Sequence, residues 1–291
     1  MVDEYDTKSN STVELLPQDE EGIEKTFDPT TDLLCSAWKK VKEQYPTSYR
    51  SAFYCNNNDN NVFTNLMTDD TLAKLDFSGS ENVTDTSWTF AYNVNIEHFN
   101  ELFDTSNVRY MSCMFYYCYK LKSVVIDVYS ASDMSSMFSS CHELEEVVFK
   151  RGTGTLWDAM NMFSHCQKLK KLPLLRGFSG KTTSMFLSCE ALEEVPAYDL
   201  SGVTTTNSVS AVSGNMFYGC TSLKRIKCFG LTVAVNISYS TQFTREALVE
   251  ILTNLGNARS GSQTLTMGAT NLAKLTEDDI AIATAKGWTL A

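Results

Sequence analysis

The chain has 291 residues, 43% of them hydrophobic and 20% charged, and a formal net charge of −11. That length supports one or two units with a sizeable core. The acidic balance excludes a strong non-specific grip on nucleic acid or on an anionic membrane, and no apolar run approaches the roughly 20 residues needed to cross a bilayer.

Residues 1–30 carry nine acids against two lysines and show little periodicity, the composition of an acidic arm that does not fold alone. The opening MVDEYDTKSNSTVELLPQDEEG has neither a basic start nor an apolar core, so no export signal is read and synthesis in a cytoplasm is expected. Nine cysteines, an odd number in such a chain, argue against a disulfide framework. The Asn-X-Ser/Thr triplets at Asn10, Asn82 and Asn236 read as chance matches. Residues 31–71 are expected to form an N-terminal cap. Within them DLLCSAWKKVKEQYP (32–46) forms an amphipathic helix, and an Asn-rich loop runs from Asn56 to Asn61.

Over residues 72–240 one fragment recurs without gaps. Its copies carry Met114, Phe115, Cys118 and Leu121; Met137, Phe138, Cys141 and Leu144; Met162, Phe163, Cys166 and Leu169; Met185, Phe186, Cys189 and Leu192; and Met216, Phe217, Cys220 and Leu223. Successive cysteines stand 23, 25, 23 and 31 residues apart. An eroded copy precedes them, with Trp88, Phe90 and Ile96, and with Asn93 in the cysteine slot. Met134, Met137, Phe138 and Cys141 fall at i, i+3, i+4 and i+7, which predicts one face of a short helix. After Leu144 the spacing changes to that of a strand, with Val147 and Phe149 inward. The corresponding pairs are Val124 and Ile126, Leu172 and Leu174, Val195 and Ala197, and Ile226 and Cys228.

The predicted fold class is therefore an α/β solenoid. It is a leucine-rich repeat with a parallel β-sheet on the concave side, short helical turns on the other, and an α/β C-terminal cap. The 31-residue step, around LSGVTTTNSVSAVSGNMF, reads as a loop inserted in one turn. Residues 241–291 are expected to close the repeats. TREALVEILTNLG gives a helix with Thr244 as N-cap and Gly256 beyond its end, TLTMGATNLAKL a strand and an asparagine turn, and TEDDIAIATAKGWTL a second helix with Thr276, Asp279 and Gly287 at its ends.

FDTSNVRYMSCMFYYCYKLKSVVI (103–126) and its four successors resemble the BspA-type leucine-rich repeats of bacterial surfaces. The resemblance is to the subfamily with DTSNV and MF-x-x-C-x-x-L signatures found in gut bacteria and their phages. It covers roughly residues 72–240, and the closing segment resembles those behind such repeats in phage proteins.

Chemistry is hard to find. His98, His142 and His165 do not recur as a site would. The cysteines come one per turn rather than in the close pairs zinc requires. Equivalent residues on neighbouring strands sit about 4.7–4.9 Å apart, too far for a disulfide. Cys118, Cys141, Cys166, Cys189 and Cys220 are expected to form a structural ladder of reduced, buried thiols. No catalytic residue, metal or cofactor is called for.

In the L-x-x-L-x-L-x strands the third, fifth and seventh positions should face outward on the concave side. The third gives Ser123, Glu146, Lys171, Glu194 and Arg225, and the fifth Val125, Val148, Pro173, Pro196 and Lys227. The seventh gives Asp127, Lys150, Leu175, Tyr198 and Phe229. The candidate binding face is Leu175, Tyr198, Phe229, Arg225, Lys227 and Lys150, unless the insertion or the closing segment covers its aromatics.

The expected function is a non-enzymatic structural or attachment protein of a bacteriophage virion (fibre, decoration or tail-associated subunit), assembled in the host cytoplasm. Residues 1–30 would anchor it to other virion proteins, within an oligomer or larger assembly. The alternative is a bacterial cell-surface adhesin that binds host protein or glycan. Neither nucleic acid nor membrane is an expected partner.

Overall fold

Helix α1 (Pro29–Gln44) begins the part of the chain that the computed structural model describes, which is residues 29–55, 66–204, 216–259 and 263–291. The arm at 1–28, the asparagine loop at 56–61 and the centre of the insertion, 205–215, lie outside it. Leu34 and Trp38 bury the apolar face of α1. The Trp38 ring meets Tyr49, Phe53 and Phe77 at 4.8–5.1 Å, while its indole N–H donates to the Asp76 carbonyl at 2.6 Å, as a buried tryptophan requires. Helix α2 (Asp69–Ala73) starts at a Thr68–Thr71 capping box, and a single 3₁₀ turn follows at Ser80–Asn82.

The repeats come next, and they are not helical. Among the described residues no helix falls between Asn82 and Arg245. In residues 111–117 every second N–H crosses to the next repeat: Met111 donates to Asp133, Cys113 to Ser135, Phe115 to Met137 and Tyr117 to Ser139, each at 2.9 Å. The N–H groups between them close turns, Met114 to Met111, Tyr116 to Cys113 and Cys118 to Phe115. An α-helix would spend every donor four residues back within its own segment. This segment is instead a run of overlapping turns zipped to its neighbour.

Such a run needs left-handed residues four apart, and five copies have both of them. They are Trp88 and Tyr92, Cys113 and Tyr117, Ser136 and Ser140, Asn161 and His165, and Ser184 and Ser188. In the last copy Gly219 takes the second slot, at φ +75°. The inward spacing is nevertheless satisfied: Met134, Met137, Phe138 and Cys141 are fully buried.

The turn backbone makes a prediction that a helix would not. Left-handed φ costs a non-glycine residue about 1–2 kcal/mol, while glycine raises the entropy of the unfolded chain by roughly 0.4–1 kcal/mol. Ser188→Gly, copying Gly219, is expected to raise stability by about 0.5 kcal/mol. In a helix interior it would instead lower stability by about 0.5–1 kcal/mol. The urea midpoint at constant m-value reads the sign.

Among the described residues the strands form four small parallel sheets. β1 (His98–Asn100), β2 (Ser123–Ile126) and β3 (Glu146–Phe149) pair in order, with Val124 opposite Val147. β4 (Leu156–Asp158) pairs with β5 (Phe178–Lys181), and β6 (Glu194–Val195) with β7 (Arg225–Ile226). β8 (Val235–Asn236), β9 (Gln263–Thr266) and β10 (Trp288–Leu290) make the last sheet. A second line of contact runs ahead of the turns through bridges from Ser48 to Asp85, Tyr110, Asp133 and Asp158. At β5 the repeats approach so closely that a Cβ on Gly180 would collide with the Trp157 carbonyl.

The α/β solenoid with one continuous concave sheet and a helical opposite side is therefore corrected to two- and three-stranded parallel sheets joined by bonded turns. The helical turns fail because half of their donors are spent on the neighbouring repeat. The sheet fails at Pro173 and Pro196. Glu146 and Lys150 donate to the repeat before them, at Lys122 and Ile126, so by period two the residue between them, Val148, is the remaining donor position. Pro173 and Pro196 hold that place and have no N–H to give.

Beyond the repeats, helix α3 (Arg245–Asn254) is capped by the Thr244 side chain. After the short α4 (Ala269–Leu272) comes α5 (Glu277–Thr284), which opens on a Thr276–Asp279 capping box. The Asp279 carboxylate also takes both 2.8 Å bonds of the Arg245 guanidinium, which holds its pKa down at about 2. Asn271 is buried and donates to the Ser240 and Met267 carbonyls.

Candidate interaction surface

Around Val148 and Lys227 the outward side of the strands follows the two-residue period, whereas Asp127, expected outward, is buried and accepts a 2.7 Å bond from the Arg151 guanidinium. Val147 and Phe149 are buried while Val148 and Lys150 face out; Ile226 and Cys228 are buried while Lys227 and Phe229 do not reach the core. After the prolines the alternation slips by one residue. Leu174 is 52% exposed and Leu175 is buried; Ala197 is exposed and Tyr198 is buried, its hydroxyl donating to the Pro173 carbonyl at 2.6 Å. A one-residue slip exchanges the two faces of a strand. Of the three apolar residues expected side by side on the outward face, only Phe229, at 44% exposure, presents surface there.

The three expected cations lie at the surface, each tied to a carboxylate. Arg225 makes two bonds to Glu250, at 2.7 and 3.1 Å. Lys227 reaches Glu194 at 2.7 Å, and Lys150 pairs with Glu101. Exposed pairs of this kind contribute about 0–1 kcal/mol to stability. Their consequence is an evenly mixed charge pattern. Arg225, Glu193, Glu194, Lys224 and Glu250 line a cleft of about 530 Å³ between β7 and α3, into which the start of α3 also turns Thr244 and Glu246. Val148, at a fifth position, and Phe229, at a seventh position three repeats later, are separate exposed apolar residues at 41% and 44% exposure.

The cysteines stand in a column. Each thiol donates to the phenylalanine carbonyl of the repeat before it: Cys118 to Phe90, Cys141 to Phe115, Cys166 to Phe138 and Cys189 to Phe163 at 3.1 Å, and Cys220 to Phe186 at 3.0 Å. That carbonyl already accepts the N–H three residues on in its own repeat, from Asn93 at Phe90 and from the cysteine in the others, so the thiol satisfies its second lone pair. A cysteine is thus small enough for the bend and still able to donate. Asn93 fits the slot less well, since its Nδ2 is buried without a hydrogen-bond partner. Burial pushes all five thiols up, Cys220 to about 12, so they stay protonated and are poor nucleophiles.

The histidines are scattered. His98 Nδ1 lies 2.9 Å from the Ser123 hydroxyl, the His142 ring packs on Tyr119, and burial pushes the His165 pKa down. Among the described residues no three His, Cys, Asp or Glu side chains are grouped to hold a metal ion.

Sequence reasoning also missed a copy of the repeat. Residues 49–55, assigned to the N-terminal cap, are zipped to the next repeat through Phe53 to Thr89 and Cys55 to Ala91. Phe53 heads a stack that continues through Phe90, Phe115, Phe138, Phe163, Phe186 and Phe217. The Tyr-x-x-x-Phe spacing of YRSAF was the available signal, hidden because the methionine is missing.

Residues 58–175 match the family described as "Mycoplasma protein of unknown function, DUF285". Residues 196–252 match the "BspA type Leucine rich repeat region (6 copies)". No curated protein matches the chain. Leucine-rich repeats of this type are protein-interaction repeats rather than enzymatic ones, and the similarity points to a surface or protein-interaction protein.

Proposed function

We propose that the chain is a non-enzymatic attachment protein that binds a protein partner through the outward side of its strands, at the C-terminal end of the repeats. The observation that carries this reading is a coincidence of position. The BspA-type similarity, residues 196–252, spans Phe229, Arg225, Lys227 and the helix that walls the cleft. A mixed-charge cleft, with an exposed aromatic ring four residues along the chain from Arg225, offers the polar groups and the apolar anchor that interfaces use.

Two settings suit such a protein. On a bacterial cell surface, which the BspA-type similarity supports, the chain would act as an adhesin for a host protein. On a bacteriophage particle, which the resemblance of residues 241–291 to phage closing segments supports, it would be a fibre, decoration or tail-associated subunit. Residues 1–30 would then anchor it. Mass spectrometry of purified particles and protease shaving of intact cells separate the two, since the chain should be recovered from one source and not the other.

The interface itself is tested by Phe229→Asp. The position is exposed, so melting should be unchanged within about 0.5 kcal/mol, while partner binding should weaken at least about tenfold. Undiminished binding by the folded variant rejects this face.

A further inference from the structure

The turns carry a second surface, on the opposite side of the cysteine bend from the strands. Tyr54, Trp88, Tyr92, Tyr116, Tyr117 and Tyr119 form one connected run of rings. Trp88 lies 5.6 Å from Tyr116, Tyr92 lies 5.4 Å from Tyr116 and stacks on Tyr117 at 5.1 Å, and Tyr117 lies 5.4 Å from Tyr119. Tyr54 joins the run through Trp88 and Tyr92. All six are half-buried.

The fold does not require them. In the later repeats, the slot of Trp88 holds Ser136, Asn161 and Ser184, and that of Tyr92 and Tyr117 holds Ser140, His165, Ser188 and Gly219. The slot of Tyr116 holds Ser139, Ser164, Leu187 and Tyr218. Small residues suit the left-handed places. Trp88, Tyr92 and Tyr117 instead stand at φ of +62°, +62° and +59°, where a bulky side chain is an outlier. Strain kept at a surface where serine serves elsewhere marks a functional position.

The chemistry of the surface narrows its ligand. No Asp, Glu, Lys or Arg occupies these three slots in any described repeat. The turn N–H groups are spent on the neighbouring repeat or on the turns themselves, leaving no edge for a peptide strand to pair with. The open parts of the rings remain, with phenol hydroxyls of which those of Tyr92, Tyr116 and Tyr117 bond to one another and would exchange those bonds for a ligand's. We propose that this surface binds a neutral glycan, its sugar rings lying on the aromatic faces and its hydroxyls exchanging hydrogen bonds with the tyrosine O–H groups and the Trp88 indole N–H. The site is separate from the strand-side interface, and its failure would leave that reading intact.

The test uses the full chain, titrated calorimetrically with cellohexaose, chitohexaose, mannohexaose and maltohexaose, and with a proline-rich decapeptide. Wild type should bind at least one saccharide and not the peptide. Trp88→Ser with Tyr92→Ser and Tyr117→Ser, the residues other repeats use, should weaken that binding by more than about tenfold with a melting temperature equal to or above wild type. Tyr119→Ala, where the backbone is ordinary, is the second variant and should weaken it as well. Wild type that binds no saccharide, peptide binding in its place, or variants that bind as wild type would each overturn the proposal. So would a triple variant that melts well below wild type, since the rings would then be structural.

Discussion

Phe138→Ala is expected to destabilise the protein by about 4 kcal/mol. Phe138 is fully buried, with Phe115 at 5.6 Å and 3° on one side and Phe163 at 5.4 Å and 10° on the other. Removing the ring leaves a gap in the middle of a seven-ring column. Its walls are held by inter-repeat hydrogen bonds at Phe115 and Phe138 themselves, so they cannot close on it. The cost is lost transfer energy plus an unfilled cavity. Chemical denaturation should show a lower midpoint with little change in m-value. A loss under about 2 kcal/mol at Phe138 would show that the column does not act as a close-packed unit.

The second large effect is alkaline unfolding. Cys118, Cys141, Cys166, Cys189, Cys220 and Cys228 are all pushed up by burial, Cys220 and Cys228 to about 12. An unfolded thiol titrates near ~8.5. Between those values the unfolded chain loses protons that the native chain keeps, so the unfolded state binds fewer protons and stability falls as pH rises. Below about pH 8 the contribution is complete. Above about pH 9 each thiol removes about 1.4 kcal/mol per pH unit, and six together about 8 kcal/mol. Against a stability of about 5–15 kcal/mol, the fold should be lost between about pH 9 and 10.5. Urea midpoints at pH 7.5, 9 and 10 follow the slope. Cys141→Ala with Cys166→Ala should flatten it by about 3 kcal/mol per pH unit, because two protons leave the balance. A slope that does not change in this variant would mean the thiols are not the titrating groups.

Much of the interior was legible without coordinates. The Met-x-x-Met-Phe-x-x-Cys spacing identified residues that are fully buried in each copy, among them Met137, Phe138 and Cys141. Burial is a one-dimensional property here, since every copy repeats the same requirement. The C-terminal helices were equally readable: Thr244 and Thr276 cap α3 and α5 through their own side chains, because capping is settled within a few residues of sequence.

The candidate face was less readable. Leu175 and Tyr198 sit at positions that alternate outward by counting, yet both are buried. The count assumed that each repeat pairs as its neighbour does. Pro173 and Pro196 remove the donor that would have kept the register, and the residues after them exchange faces. The prolines were visible, but their effect on register rests on bonds to the neighbouring repeat, which counting within one copy does not contain.

The residue pattern by itself determined which side chains leave water and how often the motif returns, because apolar spacing acts within one copy. Only the tertiary structure decided the backbone path. A helix and a zipped turn bury the same Met, Phe and Cys, and they differ in where the amide protons go. In this chain that destination is a carbonyl in the next repeat, whose position no local periodicity encodes.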